Sequence, residues 1–374
     1  MQSHRVCFSC FSNQDLRDWI REHNGPRGCS FCGKYDSSTV EFHKLVSRIE
    51  ECLRRYYGRA VDQLGYCTAE GGYLGNHWDS WDMLDLIRLE LPRDDDSSLN
   101  TAIASDMTDE PWCDYDAGAL NLDDALWSSW KNFCQTVKHR RRFFFHNSGS
   151  DSHDSFTPAS LLSTIAGASE NLGLVVELPS GLGLWRARTD FTKGKRVGAA
   201  DFGPPPVEFA QQSNRMNPAG ISMLYLASSK STALKETRKD QAKVGLWRSK
   251  RPLRVLDLRS LPPVPTIFSD DVRGLKLTLS FLHEFTNDIM KPVARDNKVH
   301  IDYLPSQVVS EYMRDFAFAA GALDGIAYGS TVHQRGWNLA VFLDPTELGL
   351  ETVKWGITPP PVFSFEKAIW ASCA

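Results

Sequence analysis

Apolar side chains recur along this chain at helical spacing in its first half and in short alternating runs in its second. Leu45, Ile49, Cys52, Leu53 and Tyr56 fall on one helical face, and Met83, Leu84, Ile87 and Leu91 fall on another after a Trp78 to Trp81 lead-in. Leu122, Leu126, Trp130, Phe133 and Val137 form a third stripe, which runs into a basic segment and Phe143-Phe144-Phe145. Between Asp94 and Asp116 the chain is acidic, rich in Ser and Thr and without sustained period, which predicts a long surface loop. Residues 36–146 therefore read as an all-helical domain. Residues 1–35 form a small module ahead of it, too short for an apolar core of its own.

Residues 147–155 carry almost no apolar side chains and mark a linker that, with a short helix over Pro158 to Leu172, fills 147–180. Beyond Leu184, alternating runs at Ile221–Ala227, Val255–Arg259, Ile326–Tyr328 and Asn338–Leu343 predict strands. Helical faces fall between them. One carries Leu275, Leu279, Leu282, Phe285 and Ile289; the other runs from Gln307 to Ala320 and closes at Gly321, a suitable left-handed cap. Strands dispersed among helices, without repeated Gly-rich crossover turns, predict an α+β domain over 181–374.

Composition changes this picture little. The 374 residues exceed what one core organises, so two domains and a small third module are expected. Hydrophobic residues at 42% and charged residues at 24% exclude a fibrous or disordered chain. A formal net charge of -4 excludes a surface that is one polyanion-binding field. The carboxylates crowded from Asp79 to Asp124 and the basic run of Lys138, Arg140, Arg141 and Arg142 read as solvated faces. The N-terminus has no apolar core of signal-peptide length, and no later stretch approaches the roughly 18 apolar residues of a membrane span, so a cytoplasmic protein is expected.

Nine cysteines are too few for a disulfide scaffold in a chain of this length. Four of them form two close pairs, Cys7-x2-Cys10 and Cys29-x2-Cys32, a spacing that lets two turns present thiolates tetrahedrally to Zn²⁺. A structural zinc site without an open coordination position is predicted, with a redox dithiol as the competing reading. Cys52, Cys67, Cys113, Cys134 and Cys373 lack metal spacing and read as buried thiols. His283, His300 and His333 have no partner spacing for a triad or a metal.

Arg215-Met216-Asn217 is followed by a predicted strand carrying Tyr225 and a Ser/Thr-started helix carrying Glu236, at offsets of ten and eleven residues. This run resembles the RES domain, whose hallmark is an Arg-x-Asn motif, a strand Tyr ten residues later and a helical Glu beyond it. Leu184-Trp185-Arg186-Ala187-Arg188 resembles that family's opening strand, and Leu323 to Ser330 its late strand ending in Ser. The resemblance spans residues 181 to 345. The chain departs from it in an insertion-like stretch from Lys193 to Val207 and in a tail after Asp344.

The resemblance implies a fold similar to ADP-ribosyltransferase toxins and a toxin-like enzyme that degrades NAD, as an NAD phosphorylase or NAD glycohydrolase, with inorganic phosphate or water as acceptor. Arg215, Tyr225, Glu236 and Ser330 would be catalytic; Arg186, Arg188 and Asn338 would bind NAD. The residue types suit that chemistry. A guanidinium fork matches a pyrophosphate, a carboxylate stabilises an oxocarbenium-like ribose, Tyr stacks or donates, and Ser holds an incoming oxygen nucleophile. Taken singly, Arg215 and Glu236 read as a surface ion pair, Tyr225 as a half-buried strand residue and Ser330 as a turn former; order and spacing together favour the site.

Arg141-x4-His146 fits the Arg-x4-6-His pattern of HEPN helical domains, some of which dimerise and cleave RNA. Cysteine pairs plus helices ahead of a RES domain resemble the HEPN-like N-terminal region of longer RES proteins. The resemblance implies a domain that dimerises or regulates the enzyme. RNA cleavage through Arg141 and His146, ADP-ribosyl transfer to a macromolecule, and nucleic-acid binding by the zinc module are alternatives. Restraint by a paired antitoxin or by a built-in sensor is compatible with the chain.

Overall fold

The computed structural model describes residues 4–23, 25–91, 97–144, 149–191, 196–270, 273–293, 298–343, 345–351 and 360–372. The chain forms two compact units, Met1–Ala125 with Pro263–Ser280, and Leu126–Pro262 with Phe281–Ala374.

The first unit runs β1 (Arg5–Cys7), α1 (Gln14–Glu22), β2 (Thr39–Glu41), α2 (Phe42–Leu53), β3 (Tyr57–Arg59), α3 (Ala60–Gln63), β4 (Tyr66–Cys67), β5 (Gly72–Tyr73), α4 (Ser80–Leu86), α5 (Ser97–Asp106) and β6 (Trp112–Asp114). Local sequence starts the helices. Asn13 Oδ1 accepts the Leu16 N–H at 3.1 Å ahead of α1, and Asp79 Oδ1 accepts the Asp82 N–H at 2.8 Å ahead of α4. The predicted stripe of α2 is buried: Leu45, Ile49 and Leu53 share a core with Leu16 and Ile20 of α1. Ile267 and Phe268, far along the chain, join the same core, and Asp270 pairs with Arg48 at 2.8 Å.

The loop expected between Asp94 and Asp116 is corrected by α5 and β6. Leu99, Ile103 and Met107 fall one turn apart and are buried, as are Trp112 and Cys113. The intervening Ser, Thr and Asp residues mask that spacing; Asp94, Asp95 and Asp96 themselves lie outside the described residues. The unit also contains the antiparallel pairs β1-β2, β3-β6 and β4-β5, whose strands are too short to show a period of two.

The second unit continues with α6 (Leu122–His139), α7 (Pro158–Asn171), β7 (Val175–Leu178), β8 (Gly183–Arg188), α8 (Ala199–Phe202), β9 (Leu224–Ala227), α9 (Lys230–Glu236), β10 (Gln241–Ser249), β11 (Leu253–Asp257), α10 (Arg273–Met290), α11 (Val299–Asp302), α12 (Leu304–Asp315), β12 (Gly325–Gly329), β13 (Trp337–Val341) and β14 (Phe363–Ser372); α6 and α10 each span the division. Eight strands form one mixed sheet in the order β14-β10-β8-β9-β13-β12-β11-β7. Among the described residues only β11 and β12 pair in parallel. This is the α+β class predicted. One face packs Leu184, Leu226, Trp247, Val255 and Leu339 with Phe202, and the other packs Ala227 and Val244 with Ala233 and Leu234 of α9.

Both departures from the resembled motif turn out to be structural. In the insertion-like stretch, α8 delivers Phe202, fully buried against Phe365, and the Trp247 indole donates to the Phe202 carbonyl at 3.2 Å. From the tail, β14 pairs along the length of β10. The helix expected from Gln307 to Ala320 is corrected at its end: α12 stops at Asp315 because Phe316 turns extended, which lets Phe318 bury its ring. Gly321, at φ +97°, closes the turn after Phe318 and does not cap the helix. Among the described residues no helix is long and apolar enough to cross a membrane.

Gly325 opens β12 beside β13, and a methyl group there would collide with the Ala340 carbonyl, which belongs to the backbone and cannot rotate away. Gly325→Ala is expected to lower stability by about 3 kcal/mol. Urea unfolding with an unchanged midpoint would contradict this packing.

Candidate active site

Neighbouring strands in the sheet share several residue pairs, but β8 and β9 share one, Trp185 with Ala227. Where two strands pair at a single position, their flanking side chains are free to line an opening. A cleft of about 470 Å³ lies there. Arg186, Arg188, Arg215, Tyr225, Glu236 and Asn338 all line it. Six of the seven positions expected from sequence thus meet in one cavity, and the seventh, Ser330, reaches it through Glu236.

Glu236 ends α9, whose start is set by Ser229 accepting the Thr232 N–H at 3.0 Å. Its Oε1 accepts two bonds, from Ser330 Oγ at 2.7 Å and from Asn338 Nδ2 at 2.6 Å. No protein hydrogen bond falls on Oε2 among the described residues. Ser330 follows β12 and Asn338 lies in β13, so two adjacent strand ends fix the rotamer of a helix side chain. The following loop is tied to the same helix by Thr232 Oγ1 and His333 Nδ1, 2.8 Å apart.

The arginines differ in what they touch. Arg215 Nη1 donates to the carbonyls of Ile289 at 2.5 Å and Lys291 at 3.0 Å, and its guanidinium lies 5.5 Å from the centre of the Tyr303 ring. It therefore pairs with neither Glu236 nor any other carboxylate among the described residues, and the ion-pair reading falls. Arg188 donates to the Gly203 carbonyl at 3.3 Å. Arg186 Nη1 is shut from solvent and has no partner. Burial, with Arg188 beside it, pulls the Arg186 guanidinium down to about 9.

Tyr225 is spent on the motif loop: its hydroxyl accepts the Met216 N–H at 3.1 Å and donates to Asn217 Oδ1 at 2.6 Å. Burial, reinforced by Tyr328, holds its pKa well above the ordinary value, so it stays neutral. From α12, Ser306 donates to the Arg215 carbonyl at 2.6 Å, and Gln307 donates to the carbonyls of Asn214 at 2.7 Å and Asn217 at 3.1 Å. Sequence reasoning missed these clamps, and also Tyr328 and Tyr303 in the cleft wall. For Tyr328 a signal existed, since it lies two residues before Ser330 on a strand. Tyr303 comes from a remote segment and had none.

In the first unit Cys7, Cys10, Cys29 and Cys32 bring their sulfurs within 4.8 Å of one another, with Cys7 to Cys32 at 3.4 Å, Cys10 to Cys29 at 3.6 Å and Cys7 to Cys10 at 3.7 Å. Zn–S bonds of about 2.3 Å in a tetrahedron need sulfurs about 3.8 Å apart, so the four thiols fit that ion. Cys29 Sγ also accepts the Cys32 N–H at 3.5 Å, the kind of contact that stabilises a thiolate. Cys52 and Cys113 are buried as expected, while Cys67 and Cys134 are half-buried and Cys373 lies outside the described residues. Arg141 is exposed after α6, and His146 lies outside the described residues.

One mixed sheet carries a guanidinium-lined cleft beside a fixed Glu, and domain matches give the class. Residues 183–359 match the RES domain, and residues 22–151 match the HEPN/RES N-terminal domain 1. The chain belongs to the RES domain proteins that carry this HEPN/RES N-terminal domain. No curated protein matches it. Among solved structures it is similar to a chain of the M. tuberculosis MbcT-MbcA toxin-antitoxin complex, at 10% identity over 56% of this chain and 92% of that one, with a TM-score of 0.30.

An unpartnered buried cation destabilises the fold that holds it. Burial opposes the charged form in the folded chain alone, so the folded chain holds this proton less tightly than the unfolded one. Arg186→Met is expected to raise stability at pH 7 by roughly 1–4 kcal/mol. A lower unfolding midpoint for that variant would show that the guanidinium is paired.

Proposed function

We propose that this protein breaks the nicotinamide-ribose bond of NAD and passes the ADP-ribose to inorganic phosphate or water. The observation that carries the proposal is the Glu236 carboxylate, with one oxygen held by Ser330 and Asn338 and the other free inside a cleft whose remaining charge is mostly guanidinium. Membership of the RES domain proteins supports NAD as the substrate.

As the C1′–N bond breaks, its electron pair passes to the cationic pyridinium ring, which leaves as neutral nicotinamide. Positive charge then develops on the ribose at C1′ and O4′. The free oxygen of Glu236 stabilises that charge. Arg186 meets the pyrophosphate, where its unpaired Nη1 gains the partner it lacks, and Arg188 and Asn338 line the NAD cleft beside it. Tyr225 holds the Arg215 loop through its hydroxyl and offers its ring as part of the wall. An oxygen of phosphate or water closes on C1′, and the water route releases one proton. The products are nicotinamide with ADP-ribose 1″-phosphate or with ADP-ribose.

Loss of NAD halts metabolism, so the activity is toxin-like and acts in the cytoplasm, where the NAD pool is. Restraint falls to an antitoxin, or to the HEPN/RES N-terminal domain through self-dimerisation. Four cysteine thiolates hold a structural Zn²⁺ that folds the N-terminal module and leaves no position for chemistry.

Incubation of the purified chain with NAD, with and without phosphate, should release nicotinamide; none under either condition contradicts the proposal. Glu236→Gln keeps the acceptor oxygen but removes the charge and should slow release by about 10²–10³-fold. Metal analysis should find about one Zn²⁺ per chain, lost in Cys29→Ser; equal zinc in both would rule out the four-thiolate site.

A further inference from the structure

One more guanidinium lines the cleft, that of Arg238, the second residue after Glu236. Its φ of 55° lies in the left-handed region that side chains with a Cβ rarely adopt. Its N–H reaches the Lys235 carbonyl at 3.0 Å and closes α9. Glycine makes such a turn at lower conformational cost and is the usual residue there. Retaining arginine at a position where the backbone favours glycine points to a use for the side chain.

That side chain is exposed and makes no hydrogen bond or ion pair among the described residues. Arg188 and Arg215, by contrast, are engaged by the carbonyls of Gly203, Ile289 and Lys291. Two guanidinium groups in the cleft make no hydrogen bond at all among the described residues: Arg186, whose Nη1 is shut from solvent, and Arg238, open to it. One anion-seeking group inside and one outside match a ligand with two linked anionic phosphoryl groups, and each guanidinium can meet one of them in fork geometry. An Arg at the end of a helix also suits the dipole, but that role is satisfied without lining a cleft.

We infer that Arg238 is a ligand-binding residue that closes over the outer phosphoryl group of a pyrophosphate-bearing ligand while Arg186 holds the inner one. The inference deepens the NAD proposal, on which it rests for the substrate but not for the recognition of pyrophosphate. It gives the cleft a phosphate-reading residue outside the Arg, Tyr and Glu motif.

Arg238→Gly separates the two roles of the position, because it keeps the turn and deletes the charge. Calorimetric titration with ADP-ribose and the kinetics of nicotinamide release from NAD would be read beside the thermal midpoint. The full-length variant is expected to melt at or above the parent temperature, bind ADP-ribose about tenfold more weakly and show about a tenfold higher KM, with kcat within about twofold. Lys235→Ala, the same charge change on the same helix outside the cleft, is expected to alter neither affinity nor KM. Unchanged ADP-ribose affinity in Arg238→Gly overturns the inference, as does a loss matched by Lys235→Ala or accompanied by a lower midpoint, and as does a parent protein that binds no ADP-ribose. Weakened binding in a protein that never cleaves NAD leaves Arg238 as proposed and removes the NAD reading; normal cleavage with unchanged affinity does the reverse.

Discussion

A carboxylate at the last residue of a helix sits at the wrong end of the helix dipole, where the backbone carbonyls repel it. Glu236 is held there by two donors, Ser330 and Asn338, that converge on a single oxygen. This constraint organises the second unit. It requires β12 to end and β13 to begin beside the end of α9, which the register of Tyr328 with Asn338 and of Asn338 with Ala227 delivers. It also requires α9 to lie on the sheet, which Ala233 and Leu234 secure by packing on Ala227 and Val244. With those elements in place the second carboxylate oxygen is left for a ligand.

The same arrangement concentrates cations where the sheet is weakest. The single β8-β9 pair opens the cleft, and half-buried Arg186 holds its Nη1 there shut from solvent and without a partner. An interior group of that kind opposes folding, and the surrounding strands carry the cost. Around it the motif loop is over-determined: Tyr225, Ser306 and Gln307 bond its backbone or its Asn217 side chain, and Arg215 anchors it to the end of α10. A rigid loop beside an unsatisfied cation suits the anionic substrate proposed above.

Much of this is legible in the sequence. β9, β12 and β13 show as short runs of apolar and aromatic residues flanked by Gly, Ser or Asp, and the stripes of α2 and α6 show because each has a polar side. β10 was silent because Lys243 and Gly245 interrupt its apolar run, although Ala242 to Trp247 are all buried. β14 read as a tail because its role is to cover β10. In the site, the residues within two short motifs could be read and the residues that hold them could not. Gln307, Ser306 and Tyr303 lie some ninety residues from the loop they support, and nothing local marks them. Arg215 was read as a possible partner of Glu236; its two carbonyl contacts come from the end of α10, which no spacing rule connects to it.

The central claim is that Ser330 and Asn338 act on NAD cleavage through Glu236. A mutant cycle tests it most directly: nicotinamide release by Ser330→Ala, Asn338→Ala and Glu236→Ala, alone and combined. If both donors serve only to orient the carboxylate, each single change slows release, yet neither slows it further once Glu236 is gone. Losses that multiply in the Glu236→Ala background would mean that Ser330 and Asn338 act on the substrate by themselves, and the account would fail.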